Sequence, residues 1–307
     1  MLVVGAGGVG GYFGGRLLAA GCDVTFLVRA RRAAQLSSIG LAIRSVHGDV
    51  DIPSPPAVTV ETLCESYDLV LLSCKAYDLD AAVASFTPAV GPDTVVLPLL
   101  NGMRHLDLLD TRFGAGRVLG GLCVISSSLD AEGRILHLNE LHGITFGERD
   151  GARSARVEAI ATELSKARFD SRLSEKILHE MWEKWVFIAA GAAITCLMRA
   201  PVGDIVAGGA ADLASSLVDE CAAIAAGQGF SPSEATVQRS RATFTAPHSL
   251  LAASMFRDVE RRGPTEAAHI LGDLLDRGPG AETPLLRIAY AHLKTYEARR
   301  ARESAAS

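Results

Sequence analysis

Apolar and polar residues follow two different patterns along the 307-residue chain, and the change of pattern divides the chain into two parts. Before about residue 170, short runs rich in Val, Leu and Ile alternate with stretches of helical spacing, which is typical of a parallel sheet flanked by helices. From about Glu175 the strand-like runs cease and helical spacing, interrupted by Pro and Gly, continues almost to the end. We predict a doubly wound α/β domain over residues 1–174 and an all-α domain of about five to seven helices over residues 175–307, with a ligand cleft between them.

Individual runs predict individual strands. The parallel core is expected at Leu2–Val4, Asp23–Val28, Asp68–Cys74 and Thr94–Leu100; the last two are apolar at most positions, as is typical of strands buried on both faces. A small hairpin outside that core is expected at Leu41–Arg44 and Asp49–Ile52, on either side of His47-Gly48. Further strands are expected at Arg117–Ser126 and Ile144–Glu148, and a helix at Ser154–Ala167.

A glycine-rich loop follows the first strand. Gly5, Gly7 and Gly10 form a Gly-x-Gly-x-x-Gly pattern that leads into a predicted helix, Tyr12–Ala20. This placement is typical of a Rossmann-type dinucleotide site, in which the glycines permit a tight turn, close approach of the pyrophosphate and close packing of the helix. The helix N-terminus then offers N–H groups to the phosphates. A purely structural turn is the alternative. The predicted cofactor-binding residues of this loop are Gly5, Gly7, Gly8, Val9 and Gly10.

The residue that follows the second strand distinguishes NAD from NADP. A carboxylate there would hold the ribose 2′-hydroxyl of NAD. Here the strand runs into Arg29, followed by Arg31 and Arg32. Arg29 can form a charge-assisted, bidentate contact with a 2′-phosphate, which favours NADP(H). The alternative is that the three arginines simply lie on the solvent-exposed first turn of a helix and bind no cofactor.

Composition narrows the remaining possibilities. The formal net charge of -5 and the lack of a long basic run argue against a nucleic-acid partner. The most apolar stretch, Trp185–Met198, is too short and too rich in Ala and Gly to predict a membrane span. Met1 runs directly into Leu-Val-Val-Gly without a basic leader. The six cysteines have neither zinc nor disulfide spacing, so we expect reduced thiols and a cytoplasmic protein.

Two polar residues stand where the central strands are predicted to stop, Lys75 and Asn101. Ligands of open α/β sheets bind outside the carboxyl ends of the strands, so both residues are candidates for the site. Ordinary loop chemistry, a solvated lysine and an Asn-Gly turn, is the alternative.

Several motifs in both domains resemble the ketopantoate reductases (2-dehydropantoate 2-reductases), in order and in spacing, over nearly the whole chain. They are Gly5–Gly11, Cys74-Lys75-Ala76, Leu100-Asn101-Gly102-Met103, Trp182-Glu183-Lys184, Ser254-Met255-Phe256-Arg257-Asp258 with Pro264-Thr265-Glu266, and Thr283-Pro284 before Leu293-Lys294. The resemblance implies NADPH-dependent reduction of a 2-oxo acid to a 2-hydroxy acid, as in pantothenate biosynthesis.

The resemblance also implies roles for single residues. Lys184 would be the general acid, a role that suits an ammonium because it stabilises a developing alkoxide and delivers a proton. Lys176 is its rival, without the neighbouring Trp182. Glu266 would hold a substrate hydroxyl or Lys184, with helix capping as the alternative; Pro264 would occupy the first turn of that helix. Ser254 would bind the substrate carboxylate, Asn101 would position cofactor and substrate, and Lys75 would contact the cofactor.

One departure from the family bears on the substrate. The family carries asparagines four and eight residues after the general acid, on one helix face. This chain has Ile188 and Ala192 at those positions, so apolar surface replaces two amides in the substrate-binding set. A site without donors for a hydroxyl discriminates weakly in its favour. We therefore expect a 2-oxo acid more apolar than ketopantoate, or an otherwise modified carbonyl compound.

Two other functions stay open at this point. An NADP-binding regulatory or sensor protein would explain the loss of the two asparagines, but has no need of Lys184, Ser254 and Glu266 together. An imine-reducing, opine-type dehydrogenase would share the two-domain plan. The expected partner is a small-molecule substrate, and the Ala-rich helical half offers a surface for a homodimer.

Overall fold

In the computed structural model, which describes residues 1–305, contacts between residues divide the chain into two units. The first unit comprises Met1–Leu100 and His105–Leu178, and the second comprises Asn101–Arg104 and the chain from His179 onward. The first unit contains both sheets, and the second is helical apart from its loops. The predicted α/β fold with an all-α C-terminal part is confirmed.

The short apolar runs of the first unit form a five-stranded parallel sheet. Its order is β5 (Ala57–Val58), β2 (Thr25–Leu27), β1 (Leu2–Val4), β6 (Leu69–Leu72) and β7 (Val95–Pro98). β6 and β7 are buried at every position, as their unbroken apolar sequence predicts. The edge strand β5 was not predicted, because two residues carry no periodic signal. The carboxyl ends of β1, β2 and β6 therefore meet at one edge of the sheet.

A second, mixed sheet completes the first unit. It has the order β10 (Asp170–Leu173), β9 (Ile135–Gly147), β3 (Leu41–Arg44) and β4 (Val50–Ile52), with β8 (Gly120–Leu129) antiparallel to β9. The predicted hairpin outside the parallel core is confirmed as the antiparallel pair β3–β4. β9 begins at Ile135 rather than at Ile144, because polar residues in its first half conceal the strand pattern.

The glycine-rich helix α1 (Gly8–Ala19) contacts strands of both sheets. A Cβ at Gly14 would lie 2.6 Å from the ring of Phe26, and a Cβ at Gly15 would lie 2.8 Å from Ile43. Real Cβ atoms do not approach other atoms this closely, so glycine lets α1 pack against β2 on one side and β3 on the other. The helix begins four positions before the predicted start at Tyr12, since the loop glycines form its first turn.

Four more α-helices begin in the first 160 residues, and short 3-10 turns precede or follow some of them. The helices are α2 (Ala30–Ile39), α3 (Leu79–Phe86), α4 (Arg104–Phe113) and α5 (Ala155–Leu164). The helix predicted at Ser154–Ala167 is α5, which begins after the cap residue Ser154, whose hydroxyl accepts from the Val157 N–H. The 3-10 turns are Ala76–Asp78, Thr87–Ala89 and Ala115–Arg117.

Three histidines gather on the second sheet beside α1. The rings of His47 and His142 stack at 3.6 Å between centroids and 8° between planes, and His137 stacks 5.7 Å from His142. The Tyr12 hydroxyl lies 2.8 Å from Nδ1 of His142. His47 and His142 also line a cleft of about 370 Å³, whose other walls include Asp170. Burial, and then the charge of His47, lower the pKa of His142.

The second unit contains seven α-helices within the described residues, inside the predicted range. They are α6 (Ile177–Met198), α7 (Val202–Ala207), α8 (Ala211–Gly227), α9 (Glu234–Phe244), α10 (Ser254–Glu260), α11 (Asp273–Arg277) and α12 (Pro284–Ala305), with a π-helical segment at Ala268–Gly272. α6 is longer than the apolar run Trp185–Met198 and is apolar enough to cross a membrane by length and composition alone. Of its most apolar window 67% is buried, as in the core helix of a globular unit.

Candidate active site

The glycine loop turns sharply between β1 and α1. Gly5 has φ +95°, a conformation that favours glycine, and its N–H donates to the Leu27 carbonyl of β2 at 2.9 Å. A Cβ at Gly10 would lie 2.2 Å from the Gly5 carbonyl oxygen and 2.1 Å from Oγ of Ser73. These two glycines are therefore required by the turn and by the packing of α1.

Gly7 has a different environment. It is the N-cap of α1 with extended backbone, and a Cβ placed on it would meet nothing within 4 Å. The space beside Gly7 is therefore open at the N-terminus of α1, the end of a helix that attracts anions. The loop therefore has the backbone and the space that a dinucleotide pyrophosphate needs. A Cβ at Gly8 would lie 3.0 Å from the backbone of Ser127, so Gly8 has a packing role, and Val9 is half-buried against the core.

Arg29 lies at the end of β2 and caps α2. Its guanidinium is 75% exposed and binds the carboxylate of Asp78 at 2.7 Å. The Asp78 hydrogen bond and charge raise the pKa of Arg29. In this ion pair Nη2 of Arg29 donates to Oδ1 of Asp78. Arg29 thus presents an exposed guanidinium after β2, on the side of the sheet to which the glycine loop belongs.

Arg32 lies on α2, and its side chain contacts the glycine loop. The sequence indicated only that this helix begins with basic residues. Nε of Arg32 donates to the Ala6 carbonyl at 3.2 Å, and its Nη1 donates to the Gly133 carbonyl at 3.0 Å. Burial lowers the pKa of Arg32. The side chain ties the loop to the turn between β8 and β9, and a run of three arginines could not indicate which one turns inward.

The two strand-end candidates belong to different units. Lys75 follows β6, is half-buried and precedes the 3-10 turn Ala76–Asp78, which carries the partner of Arg29. Asn101 follows β7 and is also half-buried, but its contacts place it with the second unit. The four residues Asn101–Arg104 are the part of the N-terminal half that joins the helical unit.

Helix α6 carries the proposed general acid. Lys184, Ile188 and Ala192 follow each other at intervals of one turn, so they share one face of α6. Lys184 and Ile188 are half-buried, and Ala192 is 3% exposed. The rival Lys176 is exposed and precedes the first residue of α6.

A buried hydrogen bond fixes α6 at the level of Lys184. The indole Nε1 of Trp185, a side chain with no exposed surface, donates to the Ile270 carbonyl at 2.9 Å. Ile270 lies in the π-helical segment that follows Glu266. Glu266 is 8% exposed and stands directly before that helical segment, near its N-terminus. Pro264 lies in the loop before it and not in its first turn, so that detail of the prediction was wrong.

His269, which the sequence did not single out, connects the same segment to Asn101. Its imidazole is 7% exposed and hydrogen bonds to the backbone of Asn101. Burial lowers the pKa of His269, partly offset by the charges of Glu266 and Asp273. No motif could have indicated His269, because its role depends on a contact with a loop that is remote in sequence.

Ser254 is the exposed first residue of α10. The N–H of the preceding Ala253 donates to Oγ1 of Thr195 on α6 at 3.4 Å. Along α6 this contact lies ten residues from Trp185, or about 15 Å at 1.5 Å per residue. Within the second unit, contacts of neighbouring residues therefore connect Lys184, Glu266 and Asn101, whereas Ser254 lies toward the Ala192 end of α6.

Comparison with known proteins places the chain. The family model described as ketopantoate reductase PanE/ApbA matches residues 1–151, and the model of its C-terminal part matches residues 176–297. The uncharacterized oxidoreductase YkpB of Bacillus subtilis is 39% identical over 300 residues, covering 97% of this chain and 98% of that one. The 2-dehydropantoate 2-reductase of Nostoc is 26% identical, covering 97% and 95%. The crystal structure of 2-dehydropantoate 2-reductase from Geobacter metallireducens superposes with a TM-score of 0.87 at 28% identity, covering 96% and 99%. The chain belongs to the ketopantoate reductase family of oxidoreductases.

Proposed function

We propose that this protein is an NADPH-dependent reductase that converts a 2-oxo acid to the 2-hydroxy acid, with Lys184 as general acid. The observation that carries the proposal is the buried connection within the second unit: the Trp185 indole ties the Lys184 helix to the Glu266 segment, and that segment holds Asn101. Membership of the family supports the reaction type, and the glycine loop supports a dinucleotide.

The chemistry requires a hydride at the carbonyl carbon and a proton at the carbonyl oxygen. Bound NADPH supplies the hydride. In our proposal the Lys184 ammonium donates a hydrogen bond to the carbonyl oxygen, stabilises the negative charge that develops there and delivers the proton, so that C=O becomes CH–OH. Glu266 orients Lys184 or a substrate hydroxyl from its buried position, and Ser254 binds the carboxylate. Asn101 positions cofactor and substrate.

The substrate that we propose is more apolar than ketopantoate. Ile188 and Ala192 share the helix face of Lys184 and provide no hydrogen-bond donor or acceptor from their side chains. A hydroxyl on the substrate gains nothing from this surface and loses its hydration there. A branched or aromatic 2-oxo acid therefore fits the face better than pantothenate precursors do.

The proposed cofactor preference rests on Arg29. A 2′-phosphate beside this guanidinium would compete with Asp78 for its donors, and would gain charge-assisted hydrogen bonds. Lys75, which follows β6, directly precedes the turn that carries Asp78 and is the second cation that we propose for the cofactor site. NADPH is therefore expected to bind more tightly than NADH.

A second candidate function is an NADP-binding regulatory protein without turnover. The apolar pair Ile188 and Ala192 favours it, because both replace polar positions of the family. The chain retains both Lys184 and Glu266, on segments that a hydrogen bond connects, and this argues against a protein without turnover. An imine-reducing activity would also use Lys184. Turnover that requires an added amine would distinguish this activity from reduction of the 2-oxo acid itself.

The experiment is a steady-state assay of NADPH oxidation with a panel of 2-oxo acids. Ketopantoate is compared with its analogue that lacks the terminal hydroxyl. We expect turnover with several acids and a kcat/KM for the analogue that equals or exceeds the value for ketopantoate. A large preference for ketopantoate would contradict the apolar substrate. Tight NADPH binding without turnover of any acid, or turnover that requires an amine, would contradict the reductase.

A further inference from the structure

The buried His269 stands where three segments of the second unit meet, and the proposed chemistry does not use it. These segments carry Lys184, Glu266 and Asn101, the groups on which that chemistry depends. His269 is three residues after Glu266, and the same π-helical segment accepts the indole hydrogen bond from α6.

The first contact joins His269 to the turn that holds Asn101. The hydrogen bond between the imidazole and the Asn101 backbone favours the protonated ring, so the Asn101 carbonyl is the acceptor and a ring nitrogen is the donor. Gly102, the next residue, has φ +78°, and a Cβ on it would lie 3.1 Å from Cδ2 and 3.1 Å from the carbonyl oxygen of His269. The Asn101-Gly102 turn therefore rests directly on the ring and on the backbone of His269.

Backbone hydrogen bonds connect His269 to Glu266 in its own segment, and its neighbour Ile270 connects that segment to α6. The His269 N–H donates to the Glu266 carbonyl at 3.1 Å, and the Ile270 N–H donates to the same carbonyl at 2.9 Å. The Ile270 carbonyl accepts from Trp185, the neighbour of Lys184. π-Helical turns inside helices are frequent at functional sites. The backbone around His269 is thus hydrogen bonded to Glu266 and, through Ile270, to α6. A displacement of the His269 ring would be transmitted to Asn101.

The environment of the ring suits a fixed donor. The imidazole is buried; the charges of Glu266 and Asp273 raise its pKa, and the charge of Arg104 lowers it. Burial outweighs the carboxylates and lowers the pKa of His269, which favours the neutral ring. A neutral imidazole has one N–H and keeps it directed at one acceptor.

We propose that His269 is a positioning residue for the reaction: its imidazole holds the Asn101-Gly102 turn so that the Asn101 amide keeps its place relative to Glu266 and Lys184. The inference rests on the proposed function, because Asn101 acts in that reaction. Misplacement of a positioning group by about 1 Å can reduce turnover a hundredfold, so a small shift of the turn is sufficient.

Two variants of His269 and one neighbour test the proposal. His269→Leu removes the donor, His269→Asn keeps an amide donor near the ring, and Ala268→Gln changes the exposed neighbour as a control. For His269→Leu we expect kcat to fall by about tenfold to a hundredfold with the Kd for NADPH within about threefold of wild type. We expect His269→Asn to recover most of the kcat and Ala268→Gln to match wild type. Equal kcat values for His269→Leu and wild type, or equal losses for the Leu and Asn variants, would overturn the proposal.

Two further measurements separate this inference from the proposed function. If the wild-type protein turns over no 2-oxo acid, hydrogen exchange of the amides of residues 99–104 is the readout. Faster exchange in His269→Leu but not in His269→Asn is expected, and unchanged exchange in the Leu variant would refute the contact. If His269→Leu does not fold, Gly102→Ala disturbs the same contact from the other side. It is expected to lower kcat or to speed exchange, and wild-type behaviour in both would refute the proposal.

Discussion

Two glycines of the same loop are predicted to respond oppositely to the same substitution. Gly7→Ala adds a methyl group to open space in front of α1, whereas Gly10→Ala adds it 2.2 Å from the Gly5 carbonyl and 2.1 Å from Ser73. The first change obstructs the surface that a pyrophosphate would approach and leaves the packing intact. The second forces β1 and α1 apart.

The expected magnitudes follow from these contacts. At Gly7 the lower entropy of the unfolded chain and the weaker N-cap offset each other, so the free energy of unfolding changes by less than about 1 kcal/mol. At Gly10 helix propensity gains about 1 kcal/mol, but overpacking against backbone costs more, and we expect a net loss of about 2–3 kcal/mol. For a unit of this size that loss corresponds to a Tm lower by roughly 4–12 °C.

Thermal unfolding with and without NADPH distinguishes the two effects. Cofactor at a hundred times its Kd stabilises the wild type by about 2.7 kcal/mol, and a hundredfold weaker Kd in Gly7→Ala reduces this to about 0.4 kcal/mol. We therefore expect Gly7→Ala to have a wild-type Tm alone and almost no shift with NADPH. A full NADPH shift in Gly7→Ala would refute the cofactor site, and a wild-type Tm for Gly10→Ala would refute the packing argument.

Three other predictions concern the charge at β2, the core of α6 and the histidines. Arg29→Ala should raise the Kd for NADPH at least tenfold and leave the Kd for NADH within about twofold, in fluorescence titrations, because only the 2′-phosphate loses its partner; equal losses for both would contradict this. Trp185→Phe should lower the free energy of unfolding by about 1–3 kcal/mol in urea titrations, because the Ile270 carbonyl stays buried without its donor. The lowered pKa of His142 means that folding favours its neutral ring, so stability is full above about pH 6.5 and falls as the pH decreases below that value. The charge of His47 is the second cause of this lowered pKa after burial, so His47→Gln should reduce the loss of Tm between about pH 7.5 and 5.5; an unchanged loss would contradict a contribution from His47.

Continuous apolar runs and turn glycines made much of the first unit predictable. β1, β6 and β7 are short and buried on both faces, so their composition alone distinguishes them from helices. The hairpin of β3 and β4 was predictable because both runs are short and His47-Gly48 stands between them. β10 and the first half of β9 were not predictable, because neither has an apolar face: β10 pairs with the second half of β9, and the first half of β9 pairs with β8 and β3.

The candidate site divides in the same way. Motif residues such as Lys184 and Gly7 could be singled out because a residue type at a given spacing implies a chemistry. The π-helical segment and His269 could not, since no periodic pattern encodes a widened turn. The association of Asn101 with the helical unit depends on a contact between segments remote in sequence, which a strand-end rule does not contain.

One measurement tests the central claim most directly, the comparison of NADPH oxidation by wild type and Lys184→Met across the 2-oxo acid panel, with NADPH binding measured for both. The account predicts that wild type forms one 2-hydroxy acid per NADPH oxidised. It also predicts that Lys184→Met binds NADPH with a similar Kd while kcat falls by about a hundredfold or more. Wild-type turnover in Lys184→Met, or a wild type that binds NADPH and reduces no acid, would contradict it.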